Sequence, residues 1–254
     1  MRALLIAVYV FLLAPLVIVA GAAVNPESFL AFPPHGLSAQ WFVRALTAPG
    51  FQAAFATSLE VSLSGTLLAL LIGIPAAYAL ARHRVRLPRW LGVVFVLPVL
   101  IPEIVFGFAL LKGVSVGMGV AVLPSLIAGH TLLVLPYAVR VVGASLAGFD
   151  FSVEEAAISL GARPTRAFLL AVLPNIRGGI VAAFTLAFIT SLNDVSISVF
   201  LTGPGVNTLP IQILSYVEQF FDPTVAAVSV LMMGLTMLVM VAVERSVGLA
   251  IVAR

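Results

Sequence analysis

Apolar runs of about twenty residues constrain this chain most, because each is long enough to cross the hydrocarbon core of a bilayer. Six are expected, at about 3–24, 55–81, 90–111, 119–142, 179–202 and 223–247. Only 9% of the 254 residues are charged and the mean hydropathy is +1.20, whereas a soluble domain carries about 25% charged residues. Lipid offers backbone amides no partners, so each span must satisfy its own and is read as a helix. The expected architecture is therefore all-α and polytopic, with six transmembrane helices in one domain over 1–254. The first segment has Arg2 before it and Ala20-Gly21-Ala22 behind it, in the manner of a cleaved leader. Its apolar run exceeds the roughly 7–15 residues of a leader core, and it is read as a membrane anchor.

Charge placement orients the spans. With both termini inside, the inner segments hold Arg2, Arg82, Arg84, Arg86, Arg89, Arg140, Arg163, Arg166, Arg177, Arg245 and Arg254. The outer loops hold Arg44 and Lys112. A bias of that sign follows the positive-inside rule. It also gives the pI near 9.8 a membrane cause, with no nucleic-acid partner implied. The chain has no cysteine, which excludes disulfides, thiolate metal sites and cysteine nucleophiles. His35, His83 and His130 are too scattered for a metal cluster. The outer loop at about 25–54 is expected to lie over the membrane surface, with Trp41 and Trp90 at interfaces. Gly65, Gly73 and Ala76 would let the second span approach a neighbour closely.

The segment 143–178 interrupts this pattern on the inner side. Asp150 or Ser152 is placed to cap a helix, and Glu154 and Glu155 fall in its first turn, where negative charge suits the helix dipole. Ala156 and Ala157 keep the surface shallow, Gly161 ends the helix, and Pro164 opens a second helix that runs to Pro174. The product is a short helix, a sharp turn and another helix. Helix chemistry alone is equally satisfied by an amphipathic loop resting on headgroups.

Spacing separates the two readings. Glu155-Ala156-Ala157, three residues, Gly161, nine residues, then Ala171-Val172-Leu173-Pro174 resembles the EAA signature of ABC-importer permeases, E-A-A-x3-G-x9-I-x-L-P. The one departure is Ala171 in place of isoleucine. The resemblance implies a type I importer fold in the inner (plasma) membrane. It also implies that the short helix is a coupling helix seated on a cytoplasmic ATPase, with Glu154, Glu155, Ala156, Ala157, Gly161 and Pro174 as the coupling element. The implied partners are an ABC ATPase dimer, a second homologous permease and an extracytoplasmic solute-binding protein. The chain has no G-x-x-x-x-G-K-[ST] phosphate loop. It is expected to be a non-enzymatic subunit with no cofactor of its own, ATP being held by the partner.

Acids inside spans are costly and mark function by default. Glu103 follows Pro102 in span three, where Pro98 and Pro102 are expected to break the helix and free carbonyls toward a cavity. Asp194, after Asn193, lies in span five, and no lysine or arginine in a span stands ready to neutralise either acid. Glu60, near the outer end of span two, is within reach of interfacial water. Glu103, Asn193 and Asp194 are the candidate translocation path, and His130 is read as a packing hydrogen-bond donor. The blocks FPPHGLSAQWF, LPVLIPEIVFG, HTLLVLPYAVR and SLNDVSISVFLTGPGVNTLP look like those of spermidine/putrescine-type permeases. That resemblance implies a polyamine cargo, although Asn193 stands where such relatives often carry a second acid. Related permeases move iron(III), thiamine or phosphonates.

Two rival functions follow from the same residues. A proton-coupled secondary transporter would use Glu103 or Asp194 as a relay and would have no use for an EAA segment. An intramembrane hydrolase would pair Ser125 with His130, which share a span with no strand or glycine elbow to shape a site.

Overall fold

Long runs of alanine, leucine and valine become helices here, as bilayer solvation demands. The computed structural model describes residues 1–82 and 89–247. His83, Arg84, Arg86 and Arg254 fall outside them. In chain order the helices are α1 (Arg2–Ala23), α2 (Gln40–Thr47), α3 (Pro49–Arg82), α4 (Arg89–Leu100) and α5 (Glu103–Leu110). There follow α6 (Val122–Ala147), α7 (Ser152–Ser159), α8 (Pro164–Asn175) and α9 (Arg177–Leu192). The last are α10 (Ser198–Leu201), α11 (Leu209–Gln219) and α12 (Thr224–Val247). Among the described residues, α1, α3, α6 and α12 are each long and apolar enough to cross a membrane. A fifth span results if α8 and α9, bent by 73° at their junction, are taken together.

Two expected spans are interrupted. The third divides between α4 and α5 at Ile101 and Pro102, since proline lacks an amide and disfavours helical backbone in the residue before it. Pro98, expected to break the chain as well, stays inside α4. The fifth stops at Leu192 and resumes only at Ser198. In addition, α5 continues into a π-helical turn, Leu111–Val116, and α8 contains another, Phe168–Val172.

The chain forms two compact units. The first comprises 1–57 and 207–238, and its core gathers Ala23, Trp41, Phe51, Leu209 and Ala227. Trp41 is buried here and donates its indole N–H to the Asn25 carbonyl at 2.7 Å. Its ring turns inward from α2 into the core of this unit and not out to the surface. Beside it Arg44 pairs with Asp222 at 3.0 Å, and the Tyr216 hydroxyl donates to the same carboxylate.

The second unit comprises 58–206 and the segment from 239 onward, and α6 is its axis. Gly65 of α3 lies where an added Cβ would stand 3.1 Å from the Cβ of His130, and at Gly73 it would stand 2.7 Å from that of Ala138. Ascending numbers on both helices mean that α3 and α6 run parallel in close contact, as the small residues of α3 suggested. Gly179 of α9 meets Ser145, while Gly129 meets Ile197 and Leu201, so α9 and α10 run antiparallel to α6. The C-terminal ends of α3 and α6 therefore share one end of this unit with α7.

Candidate functional site

The connection from α6 to α8 is a finished local structure. Asp150 accepts the Ser152 amide at 2.9 Å and the Ser152 hydroxyl at 2.7 Å; neither expected cap is the N-cap, which is Phe151, but the Asp150 carboxylate satisfies the amide of the first helical residue from one position further out. These bonds, the amide's first, hold the Asp150 carboxyl below the usual carboxylate range. Glu154 and Glu155 occupy the first turn of α7. At the other end the Gly161 amide bonds to Ile158 O at 2.9 Å and the Ala162 amide to Ala157 O at 3.1 Å. That pair is a Schellman closure, which requires left-handed backbone at the residue after the cap. Gly161 supplies it with φ +93°. Pro164 then occupies the first turn of α8, and Pro174 lies exposed in its last turn, just before the bend.

Six residues were expected to form the coupling element, and α7 turns them in different directions. Glu155, Ala156 and Gly161 are exposed, Ala157 is half-buried, and Glu154 is only 1% exposed. Charge is not buried without a partner, and Glu154 has two. The Tyr78 hydroxyl donates to one carboxylate oxygen, and Arg82 Nε lies 3.2 Å from the other. Arg82 also reaches Glu155 at 2.9 Å and lies over the Phe151 ring at 5.4 Å. Tyr78 packs on Phe168 with ring centroids 4.6 Å apart. Sequence reasoning used Arg82 only as an orienting charge and passed over Tyr78. Their spacing, one helical turn apart at the end of a span, is the signal that could have found them. It also missed Leu160, which stands 90% exposed at the end of α7 beside the partly exposed Val153 and Ile158.

A second polar cluster lies at the break after α9. Asp194 is 6% exposed and accepts the Ile197 amide at 3.3 Å, the Ser198 amide at 2.9 Å and the Ser198 hydroxyl at 2.8 Å. It thus caps α10 across the gap. The Ser198 hydroxyl gives its single proton to Asp194, so it accepts from His130 Nε2 at 3.0 Å. With the ring neutral, Nδ1 then accepts from Ser191 Oγ at 2.7 Å. The acid expected to stand unpaired inside the bundle is hydrogen-bonded instead, and His130 is the packing partner anticipated. Ser125 contributes to a different contact, its hydroxyl donating to Val120 O at 3.2 Å.

Glu103 and Asn193 are arranged differently. Both are exposed, Glu103 as the first residue of α5 and Asn193 with its amide on Ile189 O at 2.9 Å. One turn beyond Glu103, Gly107 packs against Ser196 O and Ile197 Cα. The two broken spans therefore meet just beyond the positions of Glu103 and Asn193. Asp194 holds the break together from inside while its neighbours face outward.

An all-α, lipid-facing bundle with interrupted spans and a capped helix–turn–helix at one end defines a polytopic permease subunit. The chain belongs to the family of binding-protein-dependent transport system inner membrane components, whose profile matches residues 69–248. It shares 30% identity over 242 residues with the spermidine/putrescine transport system permease of Escherichia coli K12, covering 93% of this chain and 89% of that protein. The putrescine permease of the same strain is 29% identical, with 89% and 83% covered. A Salmonella paratyphi A chain assigned provisionally to 2-aminoethylphosphonate transport is also 29% identical, with 93% and 89% covered. Among solved structures, a bacterial ABC transporter that imports alginate superposes with a TM-score of 0.70 at 16% identity, over 95% of this chain and 92% of that one. An inward-facing methionine ABC transporter gives 0.64 at 22%, over 76% and 93%. The fold is that of type I ABC-importer permeases, and the chain is a membrane-embedded, non-catalytic permease component of an ABC importer.

Proposed function

We propose that this subunit carries a small organic cation of the polyamine class, delivered by an extracytoplasmic binding protein, with both termini in the cytoplasm. The segment 143–178 docks on the ATPase through the face formed by Glu155, Ala156, Gly161 and Leu160. Pro174 ends the coupling element and Ala157 supports it from the half-buried side. The second permease completes the path, with Glu103 and Asn193 facing it. ATP and the loaded binding protein shift the balance between outward and inward states.

The observation that carries the cargo assignment is Glu103, an exposed acid at a helix break in a span, with no ion-pair partner among the described residues. A fixed carboxylate in a low-dielectric setting favours an ammonium and disfavours a phosphonate. The names of the relatives support amines in both cases, since putrescine and 2-aminoethylphosphonate share a primary ammonium. The test is uptake of radiolabelled putrescine by cells lacking their own polyamine importers, with the subunit expressed beside its neighbouring ATPase and binding-protein genes. Putrescine uptake abolished by Glu103→Gln is the expected result. Uptake of 2-aminoethylphosphonate with none of putrescine would overturn the cargo assignment.

A further inference from the structure

The short helix α7 is fastened from inside, by contacts to α3. Arg82 lies in the last described turn of α3. Glu154 and Glu155 place two anions at the positive end of α7. One guanidinium thus joins α3 to the first turn of α7, lying 3.2 Å from the buried Glu154 and 2.9 Å from the exposed Glu155. Tyr78, one turn earlier on α3, donates to Glu154, and its ring lies 4.6 Å from that of Phe168, after α7, and 6.4 Å from that of Phe151, before it. The last turn of α3 therefore holds α7, its entry and its exit. Beyond this clamp α3 packs closely on α6 at Gly73 and Gly65.

We propose that Tyr78 and Arg82 are positioning residues that make α7 and α3 move as one body, so that force from the ATPase enters the membrane through α3. This rests on α7 being the ATPase contact. Rigid transmission needs a joint that resists both sliding and rotation. The ion pair opposes sliding, and the ring that meets both Phe168 and Phe151 opposes rotation. An exposed pair alone would do neither, because water competes for it. The buried position of Glu154 makes the clamp strong, since a charge left there without Arg82 has no water to turn to.

The absence of native cysteine permits a clean reporter. Glu60→Cys stands exposed near the outer end of α3, where interfacial water reaches it, and can be labelled with a maleimide in the reconstituted complex, with and without ATP and vanadate. In the otherwise unaltered subunit the ATPase copurifies and nucleotide trapping changes the labelling rate. With Arg82→Ala the ATPase still copurifies, but the nucleotide-dependent change shrinks by at least about fivefold, the size expected when one coupling interaction is lost. Arg82→Met combined with Glu154→Gln, which leaves no orphaned charge, behaves the same way, while Arg82→Lys recovers part of the response. Tyr78→Phe keeps the ring and loses a smaller share. A full response in Arg82→Ala and in the double variant, with ATPase bound, overturns the proposal. So does loss of ATPase binding in the double variant, because the clamp would then only shape the docking face. Failure of the unaltered subunit to retain any ATPase instead refutes the assignment of α7 as the contact.

Discussion

Gly161→Ala isolates the backbone requirement of the coupling turn. An added Cβ at Gly161 meets nothing within 4 Å, so sterics with neighbours contribute no cost. The φ of +93° lies in the region where an L-residue is penalised by about 1–2 kcal/mol. The alanine variant either carries that strain or gives up the bonds from Gly161 N to Ile158 and from Ala162 N to Ala157, which swings Leu160 and the docking face out of position. A penalty of that size displaces the population of correctly closed turns by a factor of about 5–30. Titrating the purified, detergent-solubilised permease pair with its ATPase should show affinity lower by that factor. Gly161→Asn should lose less, because a short polar side chain tolerates left-handed backbone. Gly148→Ala is the matched control, with φ −93° and its nearest neighbour at 3.8 Å, and should bind normally. If Gly161→Ala binds no more weakly than Gly148→Ala, the turn does not depend on left-handed backbone and the reasoning fails.

Gly73→Ala should destabilise the bundle by about 1–3 kcal/mol through overpacking, because its Cβ would stand 2.7 Å from that of Ala138. Ala138→Gly added to it should restore thermal stability in detergent, and no rescue would mean that the α3–α6 contact is not the cause. Asp194→Asn replaces a carboxylate that accepts two amides and a hydroxyl, and should cost about 1.5–3 kcal/mol for a hydrogen bond to a charged group. Glu103→Gln, in contrast, should leave the melting temperature unchanged, and equal losses would remove the distinction between the inner and outer acids. Asp150 has a folded-state pKa below its ordinary value, so its stabilisation is present above about pH 3.9 and is lost as pH falls through the lower folded value. Hydrogen exchange at the start of α7 should accelerate over that acid range in the natural protein and show no such step in Asp150→Asn.

Much of this was legible along the chain because the causes are local. Apolar run length specifies that the chain is a bundle of membrane helices, although only four unbroken helices long enough to span, or five with the bent pair, stand among the described residues where six were expected; the chemistry of Gly161, Pro164 and the paired glutamates shapes the short helix and turn whatever surrounds them. The interruption at Pro102 follows from that proline's missing N–H and from the backbone it denies Ile101. What stayed hidden depends on residues distant in sequence. Tyr78 meets Glu154 across 76 positions, and no rule of spacing says which of two adjacent glutamates turns inward. Likewise Asp194 reads as a bare intramembrane acid until folding brings His130 beside the local amides and hydroxyl it accepts, and Trp41 reads as a surface aromatic until its indole meets Asn25 across the loop. Periodicity and composition determine which elements form and that lipid is their solvent. Only packing decides which polar groups find partners, because desolvation penalises every one that does not.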